Sequence, residues 1–309
     1  MTLTLSSPLV RRIVLLLWVA VPTTAFFSLL RVATSAGVPF LGLVFWQCVA
    51  TGLVFIVILL VRRSPIPMRL PHLRYYATSA LFGLLIPFLG MTLASPNIPV
   101  GILGLTFTIE PALTYLLALG LMLERFQPKR FVGILIGIAG LALILLPEAS
   151  LPSRDMLPWV LVALSVPISW SIWSNLVAFD KPPEIDTAVA VCAMLILGAA
   201  MLLVPVIWLD QLWLFEGGRA GLWWTMPVFV VLNLCLWLAC FETIRLEGPV
   251  FYSTWTFIGT PLAIAAGMVF FAEQHSWWIW SALLLLLGSL YLVNVTMVSA
   301  HRQKAADQD

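Results

Sequence analysis

The sequence predicts an all-α membrane protein: ten transmembrane helices arranged as two inverted five-helix repeats. Three observations carry that expectation. Apolar residues make up 61% of the 309 positions and charged residues only 10%, against about 25% charged in soluble domains, so most of the chain belongs in lipid. Apolar segments bounded by charge or proline fall at about 13–33, 40–61, 75–95, 100–123, 131–147, 157–179, 187–209, 223–245, 250–272 and 277–298. A stretch also recurs: Pro111 to Glu124 returns as Pro261 to Glu273, with the prolines 150 positions apart and the glutamates 149.

The ten segments have helical length and lack the alternation of a barrel strand. Short links make neighbours antiparallel. Arg11 and Arg12 before an apolar run resemble the start of a signal peptide, but the run is too long for one, and its Pro22 has a counterpart in Pro167. It reads as an uncleaved first span.

Basic residues set the orientation. With the N-terminus in the cytoplasm, thirteen of the sixteen Lys and Arg lie on that side, and only Arg31, Arg154 and Arg219 lie outside. One missed or invented helix would scramble this separation, so it supports the count as well as the direction. The outer ends carry Trp159, Trp208, Trp213, Trp223, Trp224, Trp277, Trp278 and Trp280, as expected of indoles at the headgroup layer.

The loop Pro147 to Pro158 divides the chain into repeats at 1–147 and 157–309. Five spans per copy is an odd number, so the second copy enters the membrane from the opposite side. Glu124 then belongs to the cytoplasmic end of helix 4 and Glu273 to the outer end of helix 9. Both read as helix-end anchors or gates.

Pro111…Glu124 followed by Gly133, Gly137 and Gly140, with Pro261…Glu273 and Gly288, resembles the EamA-type branch of the drug/metabolite transporter superfamily. The resemblance spans roughly 13–298. It implies secondary transport, most often efflux, of a small metabolite such as an amino acid, through a central cavity lined by both halves in the inner or plasma membrane. The second copy departs from the pattern, with Ser281 and Ala282 near the place of Gly133. Glu110 is not part of it, so its role rests on physics.

A carboxylate halfway along a membrane helix costs roughly 2.5–3.5 kcal/mol to insert. Glu110 therefore faces the bundle interior, pairs, or stays protonated, which makes it the candidate for proton coupling or for binding a substrate amine. Its counterpart in the second half is Thr260. Pro111 and Pro261 each remove a backbone donor and free carbonyls that a cavity could use. Trp170, Ser174 and Asn175 place polar groups at membrane depth on helix 6, and Tyr252, Thr256 and Thr260 form a stripe on helix 9. Hydrogen bonding between helices explains such residues equally well. Gln47 with Trp46, and Asn233 with Trp237, add polar–aromatic pairs. Glu242 and Arg245 are spaced for an intrahelical ion pair.

No Walker motif, HExxH or zinc-spaced cysteine set occurs, and the four cysteines sit in apolar runs. No cofactor, metal or nucleic acid is expected. The expected partners are the bilayer, a small-molecule substrate and protons; oligomeric state is not legible. The rival readings are a membrane-embedded enzyme on a lipid-soluble substrate and a metabolite sensor that does not transport.

The topology is checked by impermeant cysteine labelling. Replacements of Ser153 and Gly217 should react from outside, and those of Ser64 and Gln127 should not.

Overall fold

The computed structural model describes residues 8–145, 154–182, 185–213, 223–273 and 276–306, and no strand occurs among them. Ten helical stretches follow in order: α1 (Pro8–Ser35), α2 (Phe40–Arg62), α3 (Leu70–Ala94), α4 (Val100–Gly120), α5 (Pro128–Leu145), α6 (Leu157–Asp180), α7 (Thr187–Trp208), α8 (Thr225–Glu247), α9 (Pro249–Phe271) and α10 (Trp277–Ala306). Eight of these, all but α5 and α10, are long and apolar enough among the described residues to cross a membrane. Ser153, Gly217, His275 and most of the loop after α5 lie outside the described residues.

Several helices overrun their apolar segments, because a helix can continue into water where hydrophobicity stops. The α1 helix takes in Arg11 and Arg12, α3 begins at Leu70 with Pro71 in its first turn, and α10 runs on through His301 and Lys304. Proline suits a first turn because its missing N–H has no intrahelical acceptor there.

Inside α3 and α4, proline rewrites the helix. Pro87 has no N–H for the Gly83 carbonyl, its α-helical acceptor, and the stretch Ala80–Leu85 relaxes into a π turn in which Ile86 bonds to Leu81. Neither Phe82 nor Gly83 can then take a donor from position 87. The neighbouring α6 supplies both: Ser169 Oγ donates to the Phe82 carbonyl (2.8 Å) and Trp170 Nε1 to that of Gly83 (3.0 Å). In α4, Pro111 likewise leaves Phe107 without its i+4 donor. The 3₁₀ turn Phe107–Ile109 answers this by passing the Glu110 N–H to Phe107.

The main packing partners are α5 with α10, α2 with α7, α4 with α9, α3 with α6, α1 with α8, α1 with α9, and α4 with α6. Exchanging each helix for the one five places away returns the same set. Helix ends repeat too. Among the described residues, the non-glycine residues with positive φ are Arg63, Met122, Asp210 and Ala272. They end α2, α4, α7 and α9, pairing as Arg63 with Asp210 and Met122 with Ala272. After the first pair the same bond closes the turn: Ser64 N donates to Leu59 O at 3.0 Å, and Gln211 N to Val206 O at 2.9 Å.

Polar ties gather at the two ends of the bundle. At one, Arg11 and Arg12 grip Glu247, Arg74 grips Asp180, and Arg245 pairs with Glu242. At the other, Arg31 donates to the Ser95 and Ile98 carbonyls. Of the end tryptophans, Trp208, Trp223, Trp224, Trp277, Trp278 and Trp280 are exposed. Trp213 corrects the interfacial expectation: it is only 3% exposed, against 84% for Trp208. The chain around it crosses Gly42 so closely that a Cβ there would lie 2.9 Å from the Trp213 nitrogen, and the Trp213 carbonyl accepts from Trp46 Nε1 at 2.7 Å.

The α4–α9 crossing depends on Gly104, where an added Cβ would stand 2.6 Å from Ala263 Cβ. Gly104→Ala should cost about 1–3 kcal/mol by overpacking. Gly288→Ala, which meets nothing within 4 Å, should be neutral or stabilising by up to about 1 kcal/mol. Thermal unfolding in detergent separates the two.

Candidate functional site

Glu110 begins the second part of α4, directly after the 3₁₀ turn, and is fully buried. One carboxyl oxygen, Oε2, accepts from Trp255 Nε1 of α9 at 3.2 Å. The other, Oε1, has no hydrogen-bond partner in the protein. Its backbone carbonyl lies 3.1 Å from Ser171 Oγ of α6, which is also 2.7 Å from the Pro167 carbonyl and accepts from Thr114 Oγ1 at 3.2 Å. Three helices from both halves of the chain therefore converge on this residue.

Aromatic rings surround the junction. Trp170 packs against Phe107 and Trp255 with centroids 5.4 and 6.2 Å away. Trp173 meets Trp237, Phe241 and Tyr252 edge-on at 5.5, 5.1 and 6.0 Å. The close approach of Trp173 to α3 requires Gly83, since a Cβ there would lie 2.7 Å from the indole. Tyr252 OH lies 3.6 Å from Cys240 Sγ.

The other residues predicted to line the cavity are also buried, apart from half-buried Pro261. Asn175 Nδ2 donates to the Thr114 and Ser171 carbonyls, leaving Oδ1 without a protein partner. Ser174 and Thr256 bond within their own helices, to the Ser171 and Ser253 carbonyls. Thr260 reaches across to the Gly104 carbonyl at 3.1 Å, so the stripe on α9 is split: its last member binds α4 and its first touches α8. A 3₁₀ turn at Ser253–Trp255 breaks the regular spacing. Deeper in α2 and α8, Asn233 Nδ2 contacts Gln47 Oε1 at 3.4 Å.

Sequence reasoning missed Trp255 and Ser171 as the side chains that bond Glu110. Their spacing within α6 and α9 hinted at polar faces, but nothing local tells which face meets Glu110. The helix-end glutamates are both held by other parts of the chain. Glu124 pairs not with adjacent Arg125 but with buried Arg130, at 3.2 Å, and Arg130 lies over the Tyr115 ring. Glu273 accepts from the backbone nitrogens of Val100 and Gly101.

Two cavities lie away from this junction. An apolar groove of about 800 Å³ opens between α1, α8 and α9, lined by Thr24, Ser28, Leu232, Leu262 and their neighbours. A charged pocket of about 370 Å³ holds Lys181, Asp186, Thr187, Glu242 and Arg245. Burial there lowers the Lys181 ammonium below its ordinary range, against the pull of Glu242. The groove is larger, but its lining offers little to orient a polar solute, so the chemistry points to the Glu110 junction instead.

The EamA-like transporter family matches residues 11–146. The match takes in α1 to α5, so the first half of the chain is similar to an EamA-like transporter unit. An uncharacterized transporter of Bacillus subtilis (strain 168), YvbV, is 23% identical over 240 residues, covering 75% of this chain and 74% of that one. A protein of solved crystal structure shares the fold at 20% identity with a TM-score of 0.62, over 90% of this chain and 96% of that one. Family and helices together make this a multi-pass membrane transporter. Its EamA-like half contributes Glu110 and Pro111 to the junction; the remainder contributes Trp170, Ser171, Asn175 and Trp255.

Trp255→Phe should destabilise the protein by about 1–3 kcal/mol, since it strips the Glu110 carboxyl of a buried donor. In a double-mutant cycle with Glu110→Leu the costs should be strongly non-additive, read from melting in detergent.

Proposed function

We propose that the protein is a secondary transporter that exports a small organic metabolite, such as an amino acid, by alternating access, with protons as the coupling ion. The observation that carries this reading is Glu110. A fully buried carboxyl group keeps one oxygen on Trp255 and the other unpaired, at a junction of helices from both halves. An intramembrane acid in such a place is a functional group by default. The halves are the repeats 1–147 and 157–309, inverted in the membrane, with all ten helices crossing and both termini cytoplasmic in the cell membrane. The helix pairings that survive exchange of each helix for its mate, and the paired left-handed helix ends, support that arrangement.

Substrate contacts are assigned to Glu110, Pro111, Trp170, Ser174, Asn175, Tyr252, Thr256, Thr260 and Pro261, which rocking of the halves exposes to each side in turn. A transporter is favoured over an enzyme because the unsatisfied polar groups are spread through the bundle interior instead of gathering at one face.

Proton occupancy switches Glu110 between a neutral acid and a buried anion, and the two forms favour different exposures of the junction. Glu110→Gln keeps the size and fixes the neutral state. The variant should retain substrate–substrate counterflow in reconstituted vesicles and lose accumulation driven by a pH gradient. Full gradient-driven uptake by the variant would make Glu110 structural.

A further inference from the structure

The carboxylate of Glu273 bridges the two halves in a way that transport does not by itself require. Its Oε1 accepts from Val100 N at 2.6 Å and its Oε2 from Gly101 N at 3.1 Å, so the acid that ends α9 caps the start of α4. A helix start has backbone donors without intrahelical acceptors and a positive dipole end, and a carboxylate answers both. The chain is shaped to deliver it. Ala272 turns left-handed (φ 50°), Glu273 N bonds back to the Gly267 carbonyl at 3.1 Å, and the folded side chain lies where a Cβ on residue 267 would be. On the far side of the same link, Arg31 of α1 holds the carbonyls of Ser95 and Ile98.

The repeat supplies a mate for each part. Pro249-Val250 opens α9 as Pro99-Val100 opens α4, and Met122 turns left-handed before Glu124 as Ala272 does before Glu273. Val250 even shares an apolar cluster with Ala112, Tyr115 and Ala118 of α4. Yet among the described bonds Glu124 does not reach Val250 or Phe251; it is held by Arg130 instead. Of the two corresponding glutamates, one caps its partner helix and the other is held by an arginine.

We infer that Glu273 is the bolt that shuts the outer end of the α4–α9 interface, and that Glu124 leaves Arg130 to cap α9 at Val250 and Phe251 when the opposite end shuts. The word outer rests on the orientation proposed above; the latch itself does not.

The test uses the full chain in vesicles, with the four native cysteines replaced and Thr260→Cys as reporter. Thr260 is buried on α9 at its contact with α4, inward of the latch. Two variants release the bolt without touching Glu273. Val100→Pro deletes the shorter bond while preserving the helix start, because Pro99 already has the extended conformation that precedes proline (ψ 147°). Gly267→Ala displaces the carboxylate. Each should raise reporter labelling by an impermeant thiol reagent at least tenfold, only from the face that also labels Ala36→Cys, with melting behaviour confirming a folded protein. Glu124→Gln should not raise it from that face. Unchanged labelling in both release variants, or an equal rise from both faces, would overturn the latch. Labelling of Ala36→Cys from the cytoplasm would overturn the orientation instead, and failure of Glu110→Gln to uncouple would overturn proton coupling; neither alters the comparison between reporter and Ala36.

Discussion

A backbone in lipid must satisfy its own polar groups, and the bundle is organised around the places where it does not. Pro87 leaves the carbonyls at Phe82 and Gly83 without donors from its position, and Ser169 and Trp170 of the other half fill them. Those bonds fix α6 against α3. They also set the face of α6 that presents Ser171 and Asn175 to α4. The first half is thus completed by side chains of the second.

The same logic runs through α4. Proline at 111 forces a 3₁₀ turn, and the turn delivers Glu110 into the space between α6 and α9. A regular helix would place that carboxyl differently. The start of α4 is in turn satisfied by Glu273, again from the other half. Glu110 and Glu273 sit at a break and an end of helices, not along regular stretches, because that is where backbone groups lack helical partners.

Much of this was legible before any coordinates. The apolar segments locate the helices because hydrophobicity over a bilayer's thickness is a property of each segment alone. The recurrence of proline and glutamate marks corresponding helix ends, although the left-handed turns at Met122 and Ala272 were not read from it. The Glu242–Arg245 pair follows from helical spacing. Contacts between helices were not legible to the same depth. Glu124 stands next to Arg125 in the chain, but the helix ends between them, and the arginine that returns alongside is Arg130. Trp213 has the composition of an interfacial residue; what buries it is the close crossing at Gly42.

The sequence by itself determined a helical membrane protein, the position of its helices, and an acid, Glu110, inside one of its apolar segments. These depend on local composition and on the energetics of crossing lipid. Only the tertiary structure decided which indole binds Glu110, which carbonyls the prolines surrender to which neighbours, and which of two equivalent glutamates caps its partner helix. Those choices depend on the rotation and depth of one helix against another, set by steric contacts at Gly42, Gly83 and Gly104 between residues far apart in the chain.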